Sequence, residues 1–211
     1  MKSVLLFDLG GVIFEDVFSG GEKIFTKKLN IDYNEFKKLY VKTDLPDYSK
    51  GIINDDIRWK FFADELGQKK YDIKFFIHLY LSSYSLIENS KMFIEKVKNI
   101  YSQEFDLGIL SDQPTSVVKH LKKEYPEIFS LFNKKYTFIS SEVGLSKRDK
   151  NLEFFKYVFK KINLDSNKIL YIDDSKLHLQ NALKVGIPGF HFDIKNQLID
   201  SLFVELEKKL K

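Results

Sequence analysis

The chain has 211 residues, a formal net charge of +4 and no cysteine, and 44% of its residues are hydrophobic. The lack of cysteine excludes disulfides, thiolate metal sites and a thiol nucleophile, and it fits a cytoplasmic location. No apolar run reaches the roughly 18 residues of a membrane span, and the lysines are scattered rather than gathered with aromatic residues on one face. We therefore expect neither a membrane partner nor a nucleic-acid partner.

The first predicted element is a strand over 3–8, an apolar run that ends in Asp8 and is followed by Gly10 and Gly11. Its length, its β-branched residues and the glycine stop are typical of a fully buried strand. Asp8 then lies at the carboxyl end of the strand, where open α/β sheets place their ligands. Burying a carboxylate is costly unless a cation or hydrogen bonds compensate for it. Asp8 is therefore either a functional group or the cap of a turn.

The segment from about 16 to 87 is rich in helical patterns and interrupts the alternation of strands and helices seen elsewhere in the chain. On the order of seventy residues is too long for a loop inside a compact domain. We therefore predict an inserted helical cap over 16–87 and a core formed by 1–15 and 88–211. A cap at this position would close over the carboxyl ends of the strands and exclude water.

The rest of the chain alternates between the two kinds of element. Strands are expected over 105–110, 135–139, 168–172 and 188–192, and helices over 90–101, 115–124, 149–162, 176–185 and 196–210. This alternation predicts a doubly wound parallel α/β sheet with right-handed crossovers, which is a Rossmann-like core. In the last helix, leucines recur every four residues as one apolar stripe against the core. They are Leu198, Leu202, Leu206 and Leu210.

Further polar groups follow the predicted strands or precede a predicted helix. They are Ser111, Asp112, Lys147, Asp173 and Asp174. Because the carboxyl ends of parallel strands share one edge of a sheet, we expect these groups to converge with Asp8. Each also has an ordinary structural explanation: an aspartate can cap the next helix, a serine can form a local turn, and a lysine can lie on the surface. One helix cap explains one aspartate of the pair, so the pair favours a metal site.

In chain order these groups resemble the four motifs of the haloacid dehalogenase superfamily, most of whose members are phosphatases. The matching positions are 8–12, Ser111, Lys147 and 173–175, and Ala182 and Gly186 follow at the family spacing. Within the superfamily, the chain most resembles a subgroup with a small helical cap and a glycine two residues after the nucleophile. That subgroup includes a bacterial sugar-1-phosphate phosphatase.

The resemblance implies a Mg²⁺-dependent phosphatase that hydrolyses a small phosphorylated metabolite, with a sugar phosphate as the best candidate, through an aspartyl-phosphate. It implies that Asp8 is the nucleophile and that Lys147 neutralises the phosphate. The phosphate would be bound by Ser111, Asp112 and Gly11, and the Mg²⁺ by Asp8, Asp173, Asp174 and the carbonyl of Gly10. Asp112 stands where the family more often has Asn, Ser or Thr. Because a carboxylate beside a phosphate is unfavourable, we expect the Asp112 side chain either to point away from the phosphate or to have a raised pKa.

Two other positions depart from the family pattern. Arg148 replaces the proline that usually follows the lysine and offers a second phosphate contact. Gly10 replaces an aspartate that, in most phosphatases of the superfamily, protonates the leaving alkoxide and activates water. General acid–base catalysis contributes about 10²–10⁴-fold. We therefore expect slow turnover with a preference for good leaving groups, or another acid in place of the missing one.

Two alternatives to the phosphatase stay open. One is a dehalogenase-like hydrolase, which would act on a haloacid without a metal. The other is a catalytically weak or silent fold that binds a phosphorylated ligand or a partner protein. In each case we expect a monomer or a homodimer. We also expect His178, which falls in the last motif where the family often has Asn, to be structural.

Overall fold

The computed structural model describes residues 2–67, 72–193 and 199–210. Five parallel strands form one sheet in the order β3-β2-β1-β4-β5. The strands are β1 (Ser3–Phe7), β2 (Phe105–Ser111), β3 (Thr137–Ile139), β4 (Ile169–Asp173) and β5 (Gly189–His191). This arrangement confirms the predicted doubly wound parallel sheet. It places β1 in the centre, between the two strands that carry the predicted polar residues at their ends.

The strands are joined by helices. In chain order these are α1 (Gly21–Leu29), α2 (Tyr33–Lys42), α3 (Pro46–Ser49), α4 (Asp55–Leu66), α5 (Ile73–Leu81), α6 (Glu88–Tyr101), α7 (Thr115–Glu124), α8 (Pro126–Phe129), α9 (Ser140–Val143), α10 (Glu153–Ile162), α11 (Lys176–Leu183) and α12 (Ile199–Leu210). Short 3-10 turns at Lys134–Tyr136 and Ser166–Lys168 precede β3 and β4. Within the described residues, no helix combines the length and the apolar character that a membrane crossing requires.

The central strand β1 is buried on both faces. Leu5 and Phe7 pack into one apolar cluster with side chains of α6, α7 and α12, and Val4 and Leu6 pack into a second cluster with side chains of α10 and α11. Successive strand residues point to opposite faces of a sheet, so a continuous apolar run is what a two-sided core requires. The unbroken run before Asp8 is therefore explained by helices on both faces.

The stripe predicted for the last helix is seen in part. Leu202 and Leu206 are buried. Leu198 lies outside the described residues, as does the side chain of Leu210. α12 contributes to the apolar cluster that also holds Leu5 and Phe7.

One helix starts later than predicted. The helix expected over 149–162 begins at Glu153. Leu152 precedes it with a φ of 57°, in the left-handed region, which interrupts a right-handed helix. The carboxylate of Asp149 accepts a hydrogen bond from the Ser146 amide at 2.8 Å. Residues 146–149 therefore form a turn that holds the side chain of Lys147 in place, instead of the first turn of a helix.

Helices α1–α5 surround a centre of aromatic side chains. Its rings are Phe25, Phe36, Trp59, Phe62 and Phe76, all fully buried. Phe25 stacks on Phe36 with ring centroids 4.7 Å apart, and Trp59 contacts Phe62 at 5.4 Å. Aromatic pairs at these distances add to the free energy of burial. Part of the large number of phenylalanines in the sequence therefore lies where α1, α2, α4 and α5 meet.

The chain enters and leaves this helical segment through two adjacent stretches. The Glu15 amide donates to the Ser85 carbonyl at 2.8 Å, and the Ile87 amide donates to the Ile13 carbonyl at 3.0 Å. The outgoing and returning stretches therefore pair side by side next to the end of β1. The division into a core and a cap at 16 and 87 stays a prediction.

The aromatic centre generates a stability prediction. Replacing Phe62 with Ala should lower the free energy of unfolding by about 3–5 kcal/mol, because a large cavity would remain between four other rings. Ile57 lies on the same helix but is 55% exposed, so Ile57→Ala should change the free energy by less than about 0.5 kcal/mol. Urea unfolding of the two variants measures both values, and equal losses would contradict this packing.

Candidate active site

The polar residues at the strand ends meet at one edge of the sheet. Phe7 pairs with Ile109 of β2 and with Ile172 of β4. Asp8, the next residue, therefore lies between the carboxyl ends of these two strands, which carry Ser111 and Asp173. The Asp8, Ser111 and Asp173 side chains are all buried. The convergence expected from the sequence is present in the structure.

Lys147 provides the cation for this cluster. Its Nζ lies 2.8 Å from Asp8 Oδ2 and 3.1 Å from Asp173 Oδ2, and it donates to the Tyr171 hydroxyl at 2.9 Å. The side chain is 1% exposed. Burial lowers the pKa of Lys147, but the charges of Asp173 and Asp8 outweigh burial and raise the pKa above its usual range. Lys147 is therefore an ammonium ion at neutral pH.

The carboxylates around Lys147 respond differently to it. Burial raises the pKa of Asp8 to about 6, against the lowering effect of the Lys147 charge. Burial also acts on Asp173, but Lys147 and His178 overcome it and hold the Asp173 pKa below its usual range. Burial and the charges of Asp8 and Asp173 raise the pKa of Asp174 to about 7. The single positive charge of Lys147 therefore does not offset the negative charges of all three carboxyl groups, and the pKa values of Asp8 and Asp174 are raised.

The backbone around Asp8 is shaped to bring Asp174 close. Gly11 has a φ of 73°, and a Cβ at this position would lie 2.3 Å from Asp174 Oδ2. Only glycine allows this approach, because any side chain would displace the carboxylate. The Asp8 carboxylate is oriented from the other side, since its Oδ1 accepts a hydrogen bond from the Leu9 amide at 2.8 Å. The same amide lies 3.3 Å from Ser111 Oγ.

These residues fit a hard divalent cation. Asp8 and Asp174 contribute carboxylate oxygens, and the pKa values of both carboxyl groups are raised. The carbonyl of Gly10 belongs to the turn that follows Asp8. Carboxylate and carbonyl oxygens are the ligands that Mg²⁺ prefers. Potential ligand atoms of Asp8, Asp173 and His178 also lie within 4.8 Å of one another. A bound cation would offset the excess negative charge of these carboxylates.

Asp112 and Arg148 contact other protein groups. Asp112 accepts hydrogen bonds from Ser146 Oγ at 2.6 Å and from the Lys147 amide at 2.9 Å. Its carboxylate thus holds the turn that carries Lys147, and its assignment to phosphate binding stays a prediction. Arg148 binds Asp44 and donates to Ser49 Oγ at 3.2 Å. The arginine therefore links this turn to the helical segment.

Two residues of the site were not foreseen. His178 was expected to be structural, but it lines the cavity above Asp8, and its Nδ1 lies 3.4 Å from Asp173 Oδ2. The Tyr171 hydroxyl lies within hydrogen-bond distance of Asp173 Oδ2 and of the Leu110 carbonyl, and its single proton is available to either. A sequence signal existed for Tyr171, because it stands two residues before Asp173 on one strand and so points to the same face.

A cavity of about 430 Å³ opens above Asp8. Its lining includes Asp8, Gly10, Lys147 and Asp174 near the ends of the strands, and Val17, Phe18, Tyr40, Tyr80 and Tyr84 from the helical segment. The Tyr84 hydroxyl donates to the Tyr80 hydroxyl at 3.1 Å. Burial raises the pKa of Tyr40, Tyr80 and Tyr84, so their hydroxyls stay neutral. The cavity has the size and the mixed lining of a small-molecule site.

No protein-family model matches the chain, and the search of curated proteins finds no match. Solved structures do match. A HAD family enzyme from Bacteroides thetaiotaomicron is 20% identical, with 96% of this chain and 98% of that chain covered and a TM-score of 0.74. A further structure of that enzyme holds magnesium and inorganic phosphate. The chain therefore has the haloacid dehalogenase (HAD) fold, as its motifs predicted.

Two other structures with this fold represent different reactions. One is a HAD phosphatase from Thermococcus onnurineus, 16% identical over 94% of this chain and 89% of that chain, with a TM-score of 0.55. The other is the L-2-haloacid dehalogenase from Xanthobacter autotrophicus with chloropropionic acid covalently bound, 14% identical over 99% of this chain and 83% of that chain, with a TM-score of 0.65. The fold alone leaves the reaction open, so the choice rests on the residues of the site.

The raised pKa values predict a pH dependence of stability. A carboxyl group whose pKa is higher in the folded state stabilises the fold while it is protonated, and that contribution is lost as pH rises through the folded pKa. With EDTA present, the melting temperature should therefore fall between about pH 4 and pH 7, mainly through Asp8 because the Asp174 side chain reaches solvent. Mg²⁺ should restore the melting temperature at pH 8. Thermal melts across this range measure the effect, and a melting temperature that rises with pH in EDTA would contradict it.

Proposed function

We propose that the chain is a Mg²⁺-dependent phosphatase that hydrolyses a small phosphorylated metabolite through an aspartyl-phosphate on Asp8. The observation that carries this proposal is the buried ammonium group of Lys147, 2.8 Å from Asp8 Oδ2 at the floor of a cavity. An adjacent cation keeps a buried carboxylate ionised and available for attack. The Bacteroides enzyme with the same fold supports the proposal, because its structure contains magnesium and inorganic phosphate.

In this reaction an Asp8 oxygen attacks the phosphorus atom, and the bond from phosphorus to the ester oxygen breaks. Lys147 faces the incoming phosphoryl oxygens and offsets their charge, while Asp173 and Tyr171 hold its Nζ in place. Water then attacks the phosphorus, and Asp8 is released as the carboxylate. Mg²⁺, held by Asp8, Asp174 and the Gly10 carbonyl, would supply the positive charge that lets an anionic ester approach.

The charge of the site favours a phosphatase over a dehalogenase. Asp174 lies beside Asp8, and both carboxyl groups have raised pKa values. A haloacid would add a third carboxylate beside Asp8 and Asp174. A divalent cation held by the two aspartates would instead attract the negative charge of a phosphate ester. Two neighbouring negative charges repel each other, and the cost is greatest for Asp8, because its side chain is buried. The acidic pair is therefore better explained by a metal and a phosphate.

The part of the cavity wall that comes from the helical segment favours a sugar phosphate among small phosphorylated metabolites. Tyr40, Tyr80 and Tyr84 present aromatic rings there, together with neutral hydroxyl groups. A sugar ring packs its C–H groups on aromatic faces and exchanges hydrogen bonds with hydroxyls. A volume of about 430 Å³ accommodates a molecule of this size. We propose that the helical segment over 16–87 acts as the cap that supplies this wall.

Phosphate release tests the proposed function. Wild type should release phosphate from an activated aryl phosphate, and from sugar phosphates in a panel of metabolites, with Mg²⁺ but not with EDTA. Asp8→Asn should abolish release, because an amide oxygen does not form the acyl phosphate. Asp106→Asn is the matched control: Asp106 lies on β2 but pairs with Val4 at the opposite end of the sheet, so activity should be retained.

Two results would count against the phosphatase. Equal release by wild type and Asp8→Asn would exclude Asp8 as the nucleophile. No release from any compound, the aryl phosphate included, would favour a protein that binds phosphorylated ligands without turnover.

A further inference from the structure

Gly10 leaves room for a carboxylate from another part of the chain. A Cβ built at Gly10 would lie 3.1 Å from Gln113 Nε2 and 3.5 Å from Asp16 Cβ. A side chain at position 10 would therefore point between these two residues. The Cβ of Asp16 would therefore be in van der Waals contact with a Cβ at position 10. A carboxylate on Asp16 can reach the region that an aspartate at position 10 would serve.

Asp16 is held by one oxygen only. Asp16 Oδ1 accepts hydrogen bonds from the Phe18 amide at 3.0 Å, the Ser19 amide at 2.8 Å and the Ser19 hydroxyl at 2.9 Å. In the described part of the chain, Asp16 Oδ2 has no hydrogen-bond partner. Three donors on Oδ1 fix the orientation of the carboxyl group. A turn that needs only Oδ1 leaves the second oxygen available for a reacting molecule.

Asp16 lies in the wall of the same cavity as Asp8, Lys147 and Asp174. Its charge is close enough to contribute to the raised pKa of Asp174. The side chain is therefore next to the reacting groups as well as next to Gly10.

The other acidic groups in the cavity wall are committed elsewhere. Asp44 pairs with Arg148, and Asp112 accepts hydrogen bonds at both of its oxygens. Gln113 carries an amide, which does not exchange protons in catalysis. Unlike Asp44 and Asp112, Asp16 has a carboxyl oxygen without a hydrogen-bond partner among the described residues, and it lies beside Gly10.

We propose that Asp16 is the general acid and base of this site, in place of the side chain that Gly10 lacks; the proposal rests on the phosphatase function above. When Asp8 attacks phosphorus, the ester oxygen leaves with the bonding electron pair and takes the proton of the Asp16 carboxyl group. The ionised Asp16 then takes a proton from the attacking water, whose oxygen bonds to phosphorus as the bond to Asp8 breaks. The products are the alcohol and inorganic phosphate, and the proton taken from water replaces the one that Asp16 gave to the ester oxygen.

The variant Asp16→Asn tests this role with little change in shape, because the amide keeps Oδ1 as an acceptor for the three donors. On an alkyl phosphate, turnover should fall by about 10²–10⁴-fold. On an activated aryl phosphate the leaving group needs no proton, so Asp8 is phosphorylated quickly but water attack is slow. The phenolate should then appear as a rapid burst equal to the enzyme concentration, followed by a slow steady rate.

Two further variants separate chemistry from structure. Ser19→Ala removes one donor to Oδ1 but keeps the carboxyl group, so it should show no burst. Gly10→Asp in the Asp16→Asn background should recover part of the turnover, because an acid returns to the same region once Gln113 gives way slightly. Melting temperatures, with and without inorganic phosphate, check that each variant folds and binds.

The outcomes are distinguishable. Wild type that turns over the aryl phosphate, an inactive Asp8→Asn and a burst with Asp16→Asn support the proposal. If Asp16→Asn matches wild type on both substrates, or loses equally on both without a burst, the role of Asp16 is overturned and the phosphatase stands. If wild type turns over nothing, the phosphatase and the role of Asp16 are overturned together.

Discussion

The site depends on one buried ion cluster, in which Lys147 lies between the carboxylates of Asp8 and Asp173. Removing an ammonium ion from water costs several kcal/mol, and only well-placed opposite charges and hydrogen bonds offset that cost. The sheet order supplies them, because β1 lies between β2 and β4 and its end meets theirs. Tyr171, two residues before Asp173 and on the same face of the strand, completes the set of contacts to Nζ. The same contacts that stabilise the buried lysine also orient it towards Asp8.

The turn that carries Lys147 joins the sheet to the helical segment. Asp112, at the end of β2, accepts hydrogen bonds from the turn, and Arg148 and Asp149 bind Asp44 and Lys50 of the helical segment. A displacement of these helices would therefore act on the residues flanking Lys147. The walls of the cavity come from both parts of the chain, so the shape of the cavity and the position of Lys147 depend on the same contacts. Arg148 therefore makes an ion pair with Asp44 that a proline at this position could not make.

Much of the fold could be predicted from the sequence, because a strand buried on both faces requires an unbroken apolar run and the run before Asp8 ends at a carboxylate. The convergence of Asp8, Ser111, Lys147 and Asp173 followed from parallel topology. The late start of α10 could not be predicted, since the Asp149 side chain and the left-handed Leu152 interrupt a pattern that is helical in composition. His178 and Asp16 were missed as site residues for a different reason: their place in the cavity depends on three-dimensional packing, and neither stands at the end of a strand.

The proposed mechanism requires Asp8 itself to carry the phosphoryl group during turnover. The most direct measurement is to quench wild type with acid while it hydrolyses a phosphorylated substrate in Mg²⁺, digest it, and locate the phosphoryl group by mass spectrometry. We expect an acyl phosphate on Asp8, reducible by borohydride, that disappears when the substrate is exhausted. Turnover with the phosphoryl group on a different residue, or with none bound to the protein at any time, would contradict it.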